Sequence, residues 1–319
     1  MSKKKETIAP MAQNVKVIDF VGKRKVFFMI SSVLIILTLL SCFVFGVTLS
    51  IEFKGGTLAT YSYKGTVSES ELQKLASDTL KTDTTVQLGE TFTGENITSF
   101  TVSFSMDEPF SVELQDTLMK ELTAKYPDAQ IELLESNDIA PSSGKVFFIK
   151  CIVAALFATI LLIVYIAWRF KRISGLSAGV FAIVALVHDL MVVFGAFVIL
   201  GFEIDSIFMA VVLTILGYSV NDTIVIYDRI RENQKLMPKM PLAELVNLSL
   251  SQTIRRTIRT SITTISSMII VSIVALVCNV SSILSFSLPM IIGMLSGSYS
   301  SICLAPILWV TWKNRSKEA

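Results

Sequence analysis

Six long apolar runs constrain this chain more than any other feature of its sequence. A bilayer's hydrocarbon core is about 30 Å thick, and an α-helix needs roughly 20 residues to cross it. Runs that reach this length lie at residues 26–49, 146–168, 176–200, 206–227, 258–277 and 283–312. Charged residues make up 17% of the chain, against about 25% in a typical soluble domain. The sequence therefore predicts an α-helical membrane protein with six transmembrane helices.

The first run is predicted to stay in the mature protein rather than to act as a signal peptide. Lys23, Arg24 and Lys25 precede it, as basic residues precede a signal sequence. Its apolar stretch nevertheless exceeds the roughly 7–15 residues of a signal sequence, and no good cleavage site follows it. We expect an uncleaved helix.

Basic residues predict the orientation of these spans. They concentrate in the arm 1–25, between spans two and three, between spans four and five, and in the tail 313–319. With six spans all four segments lie on one side, which the positive-inside rule makes cytoplasmic. Both termini are thus predicted to be cytoplasmic, and residues 228–250 to form an amphipathic segment on the inner membrane surface. Residues 52–145 hold 16 acidic residues and 7 lysines, a net of −9, and are predicted to lie outside.

The outer segment, residues 50–145, is predicted to form one small α+β domain. Strands are predicted at 57–63, 84–88, 97–105 and 129–134. Helices are predicted at 68–80, with Ser68 and Glu71 as a capping box, and at 109–125, with Pro109 at its start. The order β-α-β-β-α-β is the ferredoxin-like pattern. The domain has no histidine and no cysteine, so we expect it to bind or transmit force rather than to catalyse.

Five polar residues inside or beside the membrane spans are the candidate functional site. His188 and Asp189 lie near the middle of the third span, Asn221 and Asp222 toward the inner end of the fourth, and Arg256 at a similar depth before the fifth. A charge at a helix centre costs about 2.5–3.5 kcal/mol on insertion, so it needs a partner or a function. We predict a proton-relay or coupling site in which protonation of Asp222 breaks its pair with Arg256 and moves a helix.

Simpler interpretations stay open for these residues. Asp222 could form a purely structural ion pair or reach to the interface, and a lone His188 is often only hydrogen-bonded to a neighbour. Gly293 and Gly297 form a GxxxG motif with added serines, which allows close helix packing and equally fits a mobile contact. Gly217 is assigned the same packing role.

Enzyme motifs are absent from the sequence. There is no P-loop, no GxSxG and no HExxH, and one histidine rules out a two-histidine site within the chain. We therefore predict no enzyme activity, no cofactor, no metal and no nucleic-acid partner, with any work driven by an ion gradient or a partner. One helix, a large loop and five helices look like half of a pseudo-symmetric transporter. Half of a proton-driven lipid or drug exporter is the alternative, although the outer domain is small for that. An intramembrane hydrolase is disfavoured because Asp189 and Asp222 differ in depth.

Several stretches together resemble the SecF family, membrane subunits of the bacterial Sec protein-export machinery within the resistance–nodulation–division superfamily. The most specific is 217–233, GYSVNDTIVIYDRIREN, and the others are His188-Asp189, 249–264, 297–302 and the Gly55-Gly56-Thr57 triplet. The resemblance covers residues 18–309. It implies a SecD partner, association with the SecYEG channel, and use of the proton motive force to promote late preprotein translocation across the cytoplasmic membrane.

The same resemblance assigns roles to two residues. Asp222 matches the family's fourth-helix relay aspartate, and Arg256 matches its fifth-helix arginine. Three departures stand out: Glu52 where aspartate is frequent, an outer turn at 278–281 without the usual glycines, and Ser298 in place of threonine. The sequence leaves open whether H⁺ or Na⁺ is the coupling ion.

Overall fold

The computed structural model describes residues 16–91, 97–105, 110–170, 175–278 and 280–318. Within these ranges six helical segments are long and apolar enough to cross a membrane. A single four-stranded sheet lies between the first and second of them. The predicted fold class, a six-helix membrane protein with one ferredoxin-like domain, is confirmed.

The helices and strands follow one another in a 1+5 arrangement around the sheet domain. In chain order they are α1 (Arg24–Phe45), α2 (Ile51–Lys54), β1 (Gly56–Tyr63), α3 (Glu69–Leu80), β2 (Thr84–Thr91), β3 (Ile97–Phe104), α4 (Val112–Lys125), β4 (Glu132–Ile139), α5 (Pro141–Arg169), α6 (Gly175–Leu200), α7 (Ser206–Leu236), α8 (Leu242–Val277), α9 (Ser281–Cys303) and α10 (Ala305–Glu318). Where the bilayer begins and ends along each helix stays a prediction.

One predicted span and the predicted surface segment differ from the helices observed. The sixth is interrupted at Leu304, between α9 and α10. Pro306 explains the break, because it has no N–H to donate and its ring clashes with the carbonyl one turn earlier. The predicted surface segment 228–250 is wrong, since α7 runs on to Leu236 and α8 begins at Leu242. These residues form the C-terminal end of α7 and the N-terminal end of α8, joined by a short turn.

The sheet has the order β2-β3-β1-β4 and every neighbouring pair is antiparallel, as a ferredoxin-like fold requires. Its helix-facing side carries a hydrophobic core in which the rings of Tyr61 and Phe100 stack with centroids 5.2 Å apart. Burial of Tyr61, whose hydroxyl has no partner in the described chain, raises its pKa to about 12.

Three local predictions in this domain need correction. The last strand is β4, displaced from the predicted 129–134, because Pro127–Ala129 form a 3₁₀ turn. Ser68 precedes α3 but makes no capping bond; its hydroxyl lies 3.1 Å from that of Ser70 instead. Helix α4 begins at Val112 with Ser111 as its cap, and Pro109 lies outside the described residues.

The sheet domain is tied to the N-terminal end of α7. Glu52 Oε2 accepts a hydrogen bond from Ser206 N (2.9 Å), and Thr85 Oγ1 on β2 donates to Glu203 Oε1 (2.7 Å). Gly55, between α2 and β1, has φ of +89°, and a Cβ there would lie 2.6 Å from Pro141 N. The junction therefore needs glycine for both conformation and space. The bonds of Glu52 and Thr85 place the domain against α7, the helix that carries Asp222.

The segment before α1 is held on the N-terminal part of α8 by two side chains, Asn247 and Ser251. Asn247 Oδ1 accepts hydrogen bonds from Phe20 N and Val21 N, both at 3.0 Å. Asn247 Nδ2 donates to Asp19 Oδ1 (2.8 Å), and Ile18 N donates to Ser251 Oγ (2.9 Å). We call these residues, 18–21 with Asn247 and Ser251, the N-terminal clamp. It joins the start of the bundle to its fifth spanning helix.

Candidate functional site

Asp189 on α6 lies at the centre of the helix bundle with no exposed surface. Its Oδ1 accepts a hydrogen bond from Ser296 Oγ (2.7 Å), and its Oδ2 accepts from Ser219 Oγ (2.8 Å) and Ser300 Oγ (2.6 Å). His188 Nδ1 lies 3.2 Å from Oδ1. We call this arrangement of one carboxylate and three serines the serine cage. It surrounds a buried carboxyl group with hydroxyls from two other helices, α7 and α9.

Small residues on α9 make the serine cage possible. A Cβ on Gly293 would lie 2.7 Å from side-chain atoms of Ile215 on α7 and Val193 on α6. A Cβ on Gly297 would lie 3.2 Å from Cβ of Ser219. The GxxxG motif therefore packs α9 tightly against its neighbours, and this close approach brings the α9 hydroxyls to the carboxylate.

His188 lies between the serine cage and Tyr299, which is bonded to α1. Its ring centroid lies 6.1 Å from that of Tyr299, whose hydroxyl donates to Phe27 O (2.7 Å). Ser31 Oγ is 3.1 Å from the same hydroxyl. Nε2 of His188 is buried and has no partner within the described chain. The imidazole thus has one engaged and one free nitrogen.

Asp222 on α7 has a different environment from Asp189, although it lies only three residues after Ser219. It is 4% exposed, yet its Oδ2 has no hydrogen-bond partner in the described residues. The positive charge of Arg256 acts on this carboxylate. No salt bridge between the two is found in the described part of the chain. The direct pair predicted from the sequence is therefore absent, because the Arg256 side chain lies on the exposed surface of α8 while Asp222 is buried.

An exposed face of α7 and α8 adjoins Asp222. It carries Gly217, Asn221 and Arg256, all exposed. A Cβ on Gly217 would meet nothing within 4 Å in the described residues, so its packing role is not found there and stays a prediction. We call this surface the open face. It combines a buried carboxylate with polar side chains that no described residue covers.

The five predicted residues thus fall into two groups. His188 and Asp189 belong to the serine cage, whereas Asn221, Asp222 and Arg256 lie at or beside the open face. Sequence reasoning missed Ser219, Ser296 and Ser300 as partners of Asp189. The signal was present as the i, i+4 spacing of two serines on α9, which from the sequence fits close packing and a mobile contact equally well.

Farther along the chain, α7 carries an ion-pair network on its surface. Asp228 Oδ1 accepts from Arg169 (3.2 Å) and from Arg231 (2.5 Å), and both carboxylate and guanidinium groups are partly exposed. No group of metal-ligating side chains occurs among the residues that the structure describes.

Comparison with known proteins agrees with this architecture. The family model described as "Protein export membrane protein SecD/SecF, C-terminal" matches residues 118–315. SecF of Anaerolinea thermophila is 31% identical over 304 residues, covering 93% of this chain and 94% of that protein. SecF of Alicyclobacillus acidocaldarius is 33% identical over 302 residues, with 93% and 94% covered.

Solved structures of SecDF have the same fold as this chain. The crystal structure of SecDF from Thermus thermophilus superposes with a TM-score of 0.74 at 31% identity, covering 96% of this chain and 40% of that one. SecDF in a super-membrane-facing form gives 0.68 at 32% identity, with 95% and 40% covered. The chain therefore belongs to the SecF family of protein translocase subunits.

Proposed function

We propose that this chain is the SecF subunit of the Sec protein-export complex and acts with a SecD subunit in the cytoplasmic membrane. Its full-length relatives are named protein translocase subunit SecF. In the SecDF proteins of Thermus thermophilus and Bacillus subtilis the matching region is 35% and 38% of one longer chain. A fused chain of that kind supports a SecD partner for the unfused one.

The open face supports the same partnership on physical grounds. Thr260, Thr263 and Ser267 on α8 are exposed, and each hydroxyl donates to a carbonyl of its own helix. Asn221 and Arg256 have no such internal partner among the described residues. Lipid cannot satisfy an amide or a guanidinium, whereas a neighbouring helix can. The open face is thus the surface on which the membrane helices of SecD would pack.

We assign the proton-carrying role to Asp222, and its unpartnered oxygen is the observation that carries this proposal. A carboxylate with an open acceptor can take up a proton without first breaking hydrogen bonds. Protonation cancels its attraction to Arg256, which changes the electrostatic contact between α7 and α8. Because the outer end of α7 is bonded to Glu52 and the sheet domain, a shift of α7 would reach the extracytoplasmic domain.

In this proposal the proton motive force promotes the late stage of preprotein translocation from the SecYEG channel and its release outside. The termini are cytoplasmic and the sheet domain is extracytoplasmic, where it would meet the emerging chain. The concentration of Arg and Lys at the inner ends of α5, α7 and α8 supports this orientation. A sodium gradient would use the same carboxylate.

Replacing Asp222 by Asn tests the function directly. Asn keeps the shape and removes the titration, so Asp222→Asn should abolish the proton-dependent stimulation of export while the protein still inserts and assembles with SecD. Asp228→Asn is the matched control, because it lies on the same helix but only loses surface ion pairs of small energy. It should export normally.

The measurement is release of a pulse-labelled preprotein from cells or vesicles, together with co-purification of SecD. Normal release by Asp222→Asn would refute the relay assignment. Equal loss in both variants would mean that the charge of α7, not a proton at Asp222, is what matters.

A further inference from the structure

We infer that Asp189 is a positioning residue rather than a proton carrier. The serine cage fixes the turn of α7 from Ser219 to Thr223, and so fixes Asp222 at the open face. This inference rests on the proposed role of Asp222. Among the predicted relay residues it makes Asp189 a fixed anchor and Asp222 the group that titrates.

The groups around Asp189 suit a carboxylate that accepts hydrogen bonds. Three hydroxyls lie within 2.8 Å of the carboxylate, and Asp189 shares its two oxygens among them and His188 Nδ1. A hydroxyl can donate to an ionised carboxylate, which only accepts. Ser219 and Ser296 have no other acceptor among the described residues, whereas Ser300 Oγ also lies 3.2 Å from Gly297 O. At least two dedicated donors therefore hold the carboxylate in its ionised form.

The hydroxyl of Ser219 is the link from the serine cage to α7. Its own carbonyl accepts hydrogen bonds from Ser301 Oγ (3.0 Å) and from Thr223 Oγ1 (3.2 Å). Thr223 Oγ1 and Ser301 Oγ lie 2.9 Å apart. The turn that contains Asp222 is thus bonded on one side to Asp189 of α6 and on another to Ser301 of α9.

Ser219 and Asp222 lie within one helical turn, so a change at one shifts the other. Ser219 and Asp222 are three residues apart, which is about 4.5 Å of axial rise in an α-helix. Both are buried, whereas Asn221 between them is exposed. A loosened Ser219 would therefore allow the turn to rotate and would change how far Asp222 lies from the charge of Arg256.

Carbodiimide labelling of the full-length protein in its native membranes tests this inference. Hydrophobic carbodiimides react with protonated carboxyl groups in membranes, and mass spectrometry reports each site separately. We expect Asp222 to be labelled with a defined pH midpoint and Asp189 to stay unlabelled. Labelling of Asp189 in the unaltered protein would overturn the inference, because the anchor must keep its charge.

Ser219→Ala tests the positioning step. It removes one donor, leaves the Asp189 carboxylate two other hydroxyls, and keeps the Cβ that packs near Gly297. We expect a shift of up to about one pH unit in the labelling midpoint of Asp222, the scale that one hydrogen bond allows. A merely structural role would lower the amount of folded protein without moving the midpoint.

Ser287→Ala is the matched control. Ser287 is buried on α9 and accepts a hydrogen bond from Ser272 Oγ of α8 (2.8 Å), away from Asp189. The control should leave the midpoint unchanged, and an equal shift in both variants would refute a specific link through Ser219. An unchanged midpoint in Ser219→Ala would refute it too.

This readout also separates the two proposals. If Asp222→Asn exports normally, the relay role of Asp222 fails whatever the labelling shows. If Asp222→Asn loses export but Ser219→Ala leaves the midpoint in place, only the positioning role fails.

Discussion

The serine cage and the open face hold the same residue type in opposite ways on two neighbouring helices, Asp189 on α6 and Asp222 on α7. Asp189 has no exposed surface and shares its oxygens among three hydroxyls and an imidazole nitrogen. Asp222 is also buried but leaves one oxygen without a partner in the described chain. Burial alone therefore does not mark a titrating carboxylate in a membrane. The number of donors aimed at it distinguishes an anchor from a site that can change its charge.

The largest expected effect tests whether the open face works as a unit. We expect Arg256→Ala to reduce export as far as Asp222→Asn does, because Asp222 then loses the counter-charge that favours its ionised form. The double variant should be little worse than either single one in a double-mutant cycle of export rates. Arg255→Ala, an exposed neighbour on α8, is the control and should export normally.

Additive losses in that cycle would mean that Asp222 and Arg256 act separately. Arg256 would then be an anchor at the membrane surface, and the partner of Asp222 would have to lie on SecD.

A second prediction concerns stability and should affect the serine cage far more than the open face. Asp189→Ala leaves the buried hydroxyls of Ser219 and Ser296 without an acceptor, whereas Ser300 Oγ keeps its bond to Gly297 O (3.2 Å). We expect a loss of about 2–4 kcal/mol, since membrane hydrogen bonds contribute about 0.6–2 kcal/mol each. Asp222→Asn removes no described hydrogen bond and should change stability by less than about 1 kcal/mol.

Thermal unfolding of the purified protein in one detergent measures both variants under the same conditions. Equal losses would contradict the contrast between anchor and titrating site. A larger loss for Asp222→Asn would reverse it.

A smaller effect is expected at a third carboxylate, Asp205. Unlike Asp189 and Asp222, it lies outside the membrane spans. Burial raises its pKa, the Glu52 and Glu203 charges raise it further, and the hydrogen bond from Phe208 N (2.9 Å) opposes them. A raised pKa means that the folded state holds the proton more tightly than the unfolded state. Its contribution to stability is therefore present in acid and is lost as the pH rises through the raised value.

Asp205→Asn should accordingly raise the unfolding temperature slightly at neutral pH and not below about pH 4, because Asn caps a helix as well as Asp does. Unfolding scans at the two pH values measure the difference. Asp205→Ala is the control, and it should lose stability at both because the cap is gone. The same gain for Asp205→Asn at both pH values would show that repulsion from Glu52 and Glu203 is unimportant.

Hydropathy and element order predicted the fold well because they report simple physical requirements. Apolar length sets the number of spans, and the alternation of strands and helices at 57–134 gave the ferredoxin-like order. The errors were local. Ser68 had two possible partners and bonded to Ser70, and Pro306 broke a span that hydropathy alone reads as continuous.

The serine cage could not be predicted in the same way. Serines at 296 and 300 fit a packing interface as well as a polar one, and nothing local in the sequence places Ser219 of α7 opposite Asp189 of α6. The choice depends on which helices are neighbours and how they are rotated. The sequence did identify Asp222 and Arg256, but it could not show that their side chains lie apart, one buried and one exposed.

The N-terminal clamp has a consequence for biosynthesis. Its two halves, Phe20 and Asn247, are 227 residues apart. At about 5–20 residues per second of synthesis, the acceptor leaves the ribosome roughly 10–50 s after the segment it binds. During that interval the backbone N–H groups of Phe20 and Val21 lack their final acceptor, and docking becomes possible only when α8 has been inserted. The clamp is therefore a late step of assembly, which closes the bundle after its fifth helix has entered the membrane.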